Sequence, residues 1–104
     1  LNHVNNGKLT LNQLINFVCE NPVKIFGIKN KGFIKEGYDA DFTIIDMNKI
    51  IEIKNENIES KCKWSPFNKD MFKGAPVATI INGELKMKDG KLIEGPSGKP
   101  LKFN

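Results

Sequence analysis

Val77-Ala78-Thr79-Ile80-Ile81-Asn82-Gly83-Glu84-Leu85-Lys86-Met87-Lys88-Asp89-Gly90-Lys91-Leu92-Ile93 is the stretch that decides the fold. Asn-Gly and Asp-Gly are the pairs most favoured in a type I′ turn, because both central residues must adopt positive φ. Here they separate the runs 77–81, 84–87 and 91–93, which predicts a three-stranded antiparallel meander. Upstream, a turn at Glu36-Gly37-Tyr38-Asp39 precedes Asp41-Phe42-Thr43-Ile44-Ile45-Asp46, read as a short strand, and Ile50 to Ile53 is read as another. Residues 56–74, with breakers around Lys63-Trp64-Ser65-Pro66-Phe67, read as an ordered loop. The stretch Glu94-Gly95-Pro96-Ser97-Gly98-Lys99-Pro100 cannot continue a sheet and is expected to lie along the surface.

Before residue 32 the periodicity is helical. Leu11, Leu14, Ile15 and Val18 recur at i, i+3, i+4 and i+7, one face of a helix over residues 10–19. Thr10 and Gln13 have capping-box spacing, and Leu9 with Leu14 fits a hydrophobic staple. Asn21-Pro22 reads as the N-cap and N1 of a second, short helix through Phe26, closed by Gly27. The fold class is therefore α+β: a helical segment followed by a β-rich half.

With 104 residues, one small domain is the ceiling, since a complete (β/α)8 barrel needs roughly 250. Hydrophobic residues make up 39% of the chain, so the core is expected to be thin and to gain from packing against something else. The formal charge is +4, yet all 16 basic residues are Lys. Arg, the residue suited to bidentate phosphate and guanine contacts, is absent. Lys, Asn and Ile together supply 42 residues spread along the chain, a compositional bias and not a selected phosphate-binding surface. No apolar run approaches the roughly 20 residues that span a bilayer, and no signal-type segment stands at the start, so a cytoplasmic protein without membrane or nucleic-acid partners is expected. Residue 1 is Leu, which reads as a trimmed piece of a longer chain.

Candidate chemistry is sparse. His3 is the only histidine, in a segment expected to fray, and no other residue supplies a His base for a Ser or Cys nucleophile. Asp39 and Asp41 alternate and could face one way as an acid and base pair, but the simpler reading is that Asp39 closes a turn and Asp41 starts a strand. Cys19 and Cys62 lie 43 positions apart with no CxxC or His partner, and are read as reduced, buried thiols. No GxGxxG or GxxxxGK[ST] pattern occurs. Trp64 and Phe67, among Lys61, Lys63 and Lys69, could stack single-stranded bases; as aromatics beside a Ser-Pro turn they read more simply as a plug over one edge of the core. No catalytic, substrate-binding or metal-ligating residue is assigned.

Taken together, Asn21-Pro22-Val23-Lys24-Ile25-Phe26-Gly27 and then Lys31-Gly32-Phe33-Ile34-Lys35-Glu36-Gly37-Tyr38-Asp39-Ala40-Asp41-Phe42-Thr43-Ile44-Ile45-Asp46 resemble the C-terminal signature of the amidohydrolase superfamily, NPAxxxG…G.I..G.DAD.v..D. Ser60 to Phe67, Phe72 to Thr79 and Asn82-Gly83-Glu84-Leu85 resemble the cyclic amidohydrolases, dihydroorotase most of all, with allantoinase and hydantoinase sharing much of this tail. The resemblance implies a (β/α)8 barrel with a small β-sandwich built from both chain ends. On that view residues 1–31 are the closing helical segment of the barrel, and 32–104 are the C-terminal share of the sandwich. It also implies zinc, held by an HxH pair, a carboxylated lysine, two further histidines and an aspartate, none of which falls within these residues. The chain is thus expected to hold no cofactor itself and to have the missing barrel portion as its partner. The rival readings are a binding module docking on a separately encoded barrel and a single-stranded nucleic-acid binder.

Overall fold

A computed structural model describes residues 1–104 and shows an α+β arrangement, helical first and antiparallel sheet second. The helical part comprises α1 (Asn2–Asn5), α2 (Leu11–Ile15), a π-helical turn (Asn16–Glu20) and α3 (Asn21–Phe26). The sheet comprises β1 (Phe42–Glu52), β2 (Met71–Ile81), β3 (Glu84–Lys88) and β4 (Lys91–Leu92), hydrogen-bonded in that order.

The capping box at Thr10 is present in both directions. The Gln13 backbone N–H donates to Thr10 Oγ1 at 3.1 Å, and the Thr10 N–H donates to Gln13 Oε1 at 2.8 Å. The two expected helices are joined, however, and Asn21 is not a cap: it is helical, with φ −64° and ψ −44°. The reason lies one residue on. Pro22 has no N–H, and in an α-helix its ring would press on the carbonyl four residues back. Widening the preceding turn, so that the Asn21 N–H reaches the Asn16 carbonyl five residues back, lets the chain stay helical through the proline. Gly27, at φ 63° and ψ 38°, then ends α3 in the left-handed conformation as expected.

The meander forms as read, with both residues of each turn at positive φ: Asn82 at 49° and Gly83 at 80°, Asp89 at 49° and Gly90 at 79°. The first half of the sheet differs from expectation in two ways. The two short strands upstream are one, β1, which runs 11 residues through a bulge between Asp46 and Ile50. The stretch read as loop ends earlier than residue 74, because Met71, Phe72 and Lys73 pair with Glu52, Ile51 and Ile50. Pro76 stands in the central strand β2, where it is tolerated beside a second register shift between Ile44 and Ile45.

Residues 1–5 do not fray. Asn5 Nδ2 donates to the carbonyls of Met47 at 2.8 Å and Lys73 at 3.0 Å, filling the β1 bulge, and the Lys73 N–H donates to Asn2 Oδ1 at 3.2 Å. The helix can approach because Gly74 has no side chain: a Cβ there would lie 2.6 Å from Leu1 Cβ. Gly74, Ala75 and Ala78 are the only buried residues.

The same close approach recurs where the helical part meets the chain leading to the sheet. A Cβ on Gly32, which sits at φ +84°, would fall 2.5 Å from Val23 Cγ2 and 2.8 Å from the Cys19 carbonyl oxygen. Gly7, at φ +73°, has no neighbour within 4 Å. Gly7→Ala should therefore cost only the left-handed conformation, about 1–2 kcal/mol, whereas Gly32→Ala adds a clash with backbone. Urea titration is expected to show Gly32→Ala the more destabilised by at least about 1 kcal/mol; equal losses would contradict the packing described.

Candidate functional site

The largest concavity is an apolar groove of about 970 Å³ between the helical run and the start of the sheet. Leu11, Ile15 and Val18 line it from one side, and Phe42, Ile45 and Ile81 from the other. Val18 is 62% exposed and Ile34, on the rim, 88%. Leu11, Ile15 and Val18 follow the helical periodicity, so the helical run turns its apolar stripe towards the groove.

A polar cluster closes one end. Lys31 Nζ lies 3.1 Å from Asp39 Oδ2 and hydrogen-bonds Asp41 Oδ2, while the Asn82 backbone N–H donates to Asp41 Oδ1 at 2.8 Å. The sequence had singled out the two aspartates and missed Lys31. Asp41 precedes β1 instead of starting it, and both its oxygens are engaged. The Asn82 N–H, and then Lys31, hold its carboxyl below the ordinary value of 3.8, and Asp41 in turn raises the Lys31 ammonium above 10.5. A carboxylate so held makes a poor proton shuttle, and an ammonium so held a poor nucleophile. The cluster is a clamp between the linker and the Asn82-Gly83 turn.

The remaining candidates do not converge. His3 is exposed on α1. Neither cysteine is buried, contrary to expectation: Cys19 opens onto the groove, and Cys62 sits in an exposed loop with Sγ 3.1 Å from Ser60 Oγ. Hydrogen bonding from Ser60, and then from the Trp64 backbone, lowers the Cys62 pKa. Trp64 and Phe67 are no plug, being 60% and 54% exposed, although Phe67 touches Phe72 edge-on with centroids 5.9 Å apart. No three His, Cys, Asp or Glu side chains stand together so as to hold a metal ion. With one histidine and two separated thiols, the donor set does not fit zinc. No helix is long and apolar enough to cross a membrane.

Residues 1–86 match the Amidohydrolase family, and the chain belongs to that family. Within it, the chain is 43% identical to the dihydroorotase of Pyrococcus furiosus over 97% of its own length and 24% of that protein's. It is 38% identical to an allantoinase from Desulfitobacterium hafniense, over 91% of this chain and 21% of the relative. Among solved structures, L-hydantoinase (dihydropyrimidinase) from Arthrobacter aurescens superposes with a TM-score of 0.85 at 35% identity, covering 89% of this chain and 21% of that one. The chain thus spans about a quarter of the length of the relatives it matches.

The clamp has a pH signature. Asp41 has a depressed folded-state pKa, so its contribution is complete above the unfolded value near 3.8 and is lost as pH falls through the folded one. Lys31 is raised, so its share is complete below about 10.5 and is lost as pH climbs through the folded value. Asp41→Asn should cost about 1–2 kcal/mol at pH 7, with the gap to wild type closing as pH falls below 4. Urea midpoints at pH 7 and pH 3 test this; a gap independent of pH would remove the clamp.

Proposed function

We propose that this chain is the C-terminal part of a dihydroorotase-like enzyme and supplies scaffold, not reactivity. The parent reaction on this reading is the zinc-dependent, reversible interconversion of N-carbamoyl-L-aspartate and dihydroorotate in the cytoplasm. Residues 1–31 would close the barrel and 32–104 complete the sandwich, with the rest of the enzyme as partner and the zinc ligands all in that rest.

The observation that carries this reading is surface area. A self-contained protein of 11.7 kDa exposes about 5,900 Å², whereas this chain exposes 8063 Å². Its radius of gyration, 15.4 Å, likewise exceeds the roughly 13 Å of a compact domain this long. The excess of about 2,200 Å² is on the scale on which obligate partners bury surface. That is the surface of a part, and identity over a quarter of a dihydroorotase fits it. The likeness to an allantoinase and an L-hydantoinase supports a second reading, in which the parent opens a different cyclic amide.

Purified chain given zinc and dihydroorotate should show no hydrolysis above background. Substituted for the matching stretch of the Pyrococcus furiosus dihydroorotase, it should yield a folded chimaera that hydrolyses dihydroorotate in preference to allantoin or hydantoin. Zinc-dependent turnover by the isolated chain would overturn the scaffold reading. A folded chimaera lacking dihydroorotase activity would show that residues 1–104 shape the active site, against the scaffold reading.

A further inference from the structure

Residues 94–104 have no regular structure except a single bridge, yet they are tied to both halves of the molecule. At one end Lys86 Nζ, from β3, donates to the Gly95 carbonyl at 2.9 Å, and the Asn82 side-chain amide donates to the Ser97 carbonyl. At the other end the Lys29 N–H donates to the Lys102 carbonyl and the Asn104 N–H to the Gly27 carbonyl, both at 2.8 Å. These two bonds frame an antiparallel bridge between Ile28 and Phe103, directly after the C-cap of α3. Pro96 and Pro100 restrict the free segment and lower the entropy lost on seating it.

Asn82 is the node. Its backbone N–H holds Asp41, and through Asp41 the Lys31 ammonium; its side chain holds Ser97. Gly27 and Ile28 at the helix end, Lys31 and Asp41 on the linker, Asn82 in the β2–β3 turn and residues 97–104 therefore form a closed circuit that meets the apolar groove at Ile28, Lys31 and Asp41.

We propose that residues 94–104 are a strap that locks the end of α3 to the sheet through Asn82, and so fixes the width of the groove. The strap acts at a distance: loosening it at the Asn82 turn frees the helix end. This does not depend on which reaction the parent enzyme performs.

Amide exchange in the full chain, read residue by residue, tests it. Asn82→Gly keeps the positive φ of the turn and removes only the side-chain tie to Ser97; Lys86→Met removes the tie to Gly95. Each should speed exchange of the Lys29 and Asn104 amides about tenfold, while the Asp89 amide, which donates to the Val77 carbonyl within the sheet, keeps its rate. Unchanged Lys29 and Asn104 rates in both variants would overturn the strap. A covalent test covers a variant that also loosens the sheet. Ile28 and Phe103 form a non-hydrogen-bonded pair, whose Cα atoms are typically about 4.5 Å apart and within disulfide range. With Cys19→Ser and Cys62→Ser as background, Ile28→Cys plus Phe103→Cys should form an intramolecular disulfide in air and cancel the effect of Asn82→Gly on the Lys29 amide. A folded chain that does not cross-link, or one whose Lys29 amide still responds to Asn82→Gly once cross-linked, would refute the proposal.

Discussion

Gly74, Ala75 and Ala78 are the only buried residues of this chain, and their smallness leaves its core without a large buried side chain. Three such small residues add little apolar transfer energy, so polar ties add to what the half-buried side chains supply. These ties stand at a few points. Asn2 and Asn5 pin α1 to β2 and the β1 bulge, Lys31 and Asp41 clamp the linker to the Asn82 turn, and residues 97–104 return to the end of α3. Glycine permits close approach at positions 32 and 74, where a Cβ would fall within 3 Å of Val23 and of Leu1.

The apolar residues meanwhile remain on the surface. Phe17, Val18, Ile25 and Phe26 on the helical run, and Ile44 and Ile50 on the sheet, are all exposed. Contiguous exposure of this kind is uncommon on a free-standing soluble protein and marks surfaces that meet others. The polar ties would then hold the elements in register while something larger supplies the burial. On the proposed reading that larger body is the barrel, and the groove is a seam in an incomplete core, not a ligand site.

What could be read from sequence was whatever local chemistry fixes. Asn82-Gly83 and Asp89-Gly90 dictated their turns through φ, Thr10 and Gln13 dictated the helix start through reciprocal hydrogen bonds, and Gly27 dictated its end. What escaped depends on distant partners. The β1 bulge is held open by Asn5, some forty residues earlier, and no pattern within residues 42–52 announces it. The π-helical turn escapes a 3.6-residue count because only Val18 of the apolar stripe lies within it. Lys31 looked like one lysine among 16 until the fold brought two aspartates to it. The expectation of buried cysteines and a plugged Trp64 failed for a single reason. Burial habits of residue types are averages over many folds, and in this one nothing packs over Cys19, Cys62 or Trp64.

The Asp39-Ala40-Asp41 stretch shows why a recognisable motif need not be a reactive one. Two carboxylates and an ammonium at the mouth of a groove resemble the ingredients of acid–base catalysis. Catalysis by such groups needs a proton that can move near neutral pH, and here the direction of each shift opposes it. Asp41 is driven towards permanent charge by a backbone N–H that cannot leave, and Lys31 towards permanent charge by Asp41. The stabilisation that makes Lys31 and Asp41 a good clamp moves both of their titrations further from pH 7. A carboxylate poised for proton transfer would instead need an apolar or like-charged neighbour to raise its pKa. Neither is what Lys31 and the Asn82 N–H provide, so the order of charges at this junction serves to hold the linker against the turn.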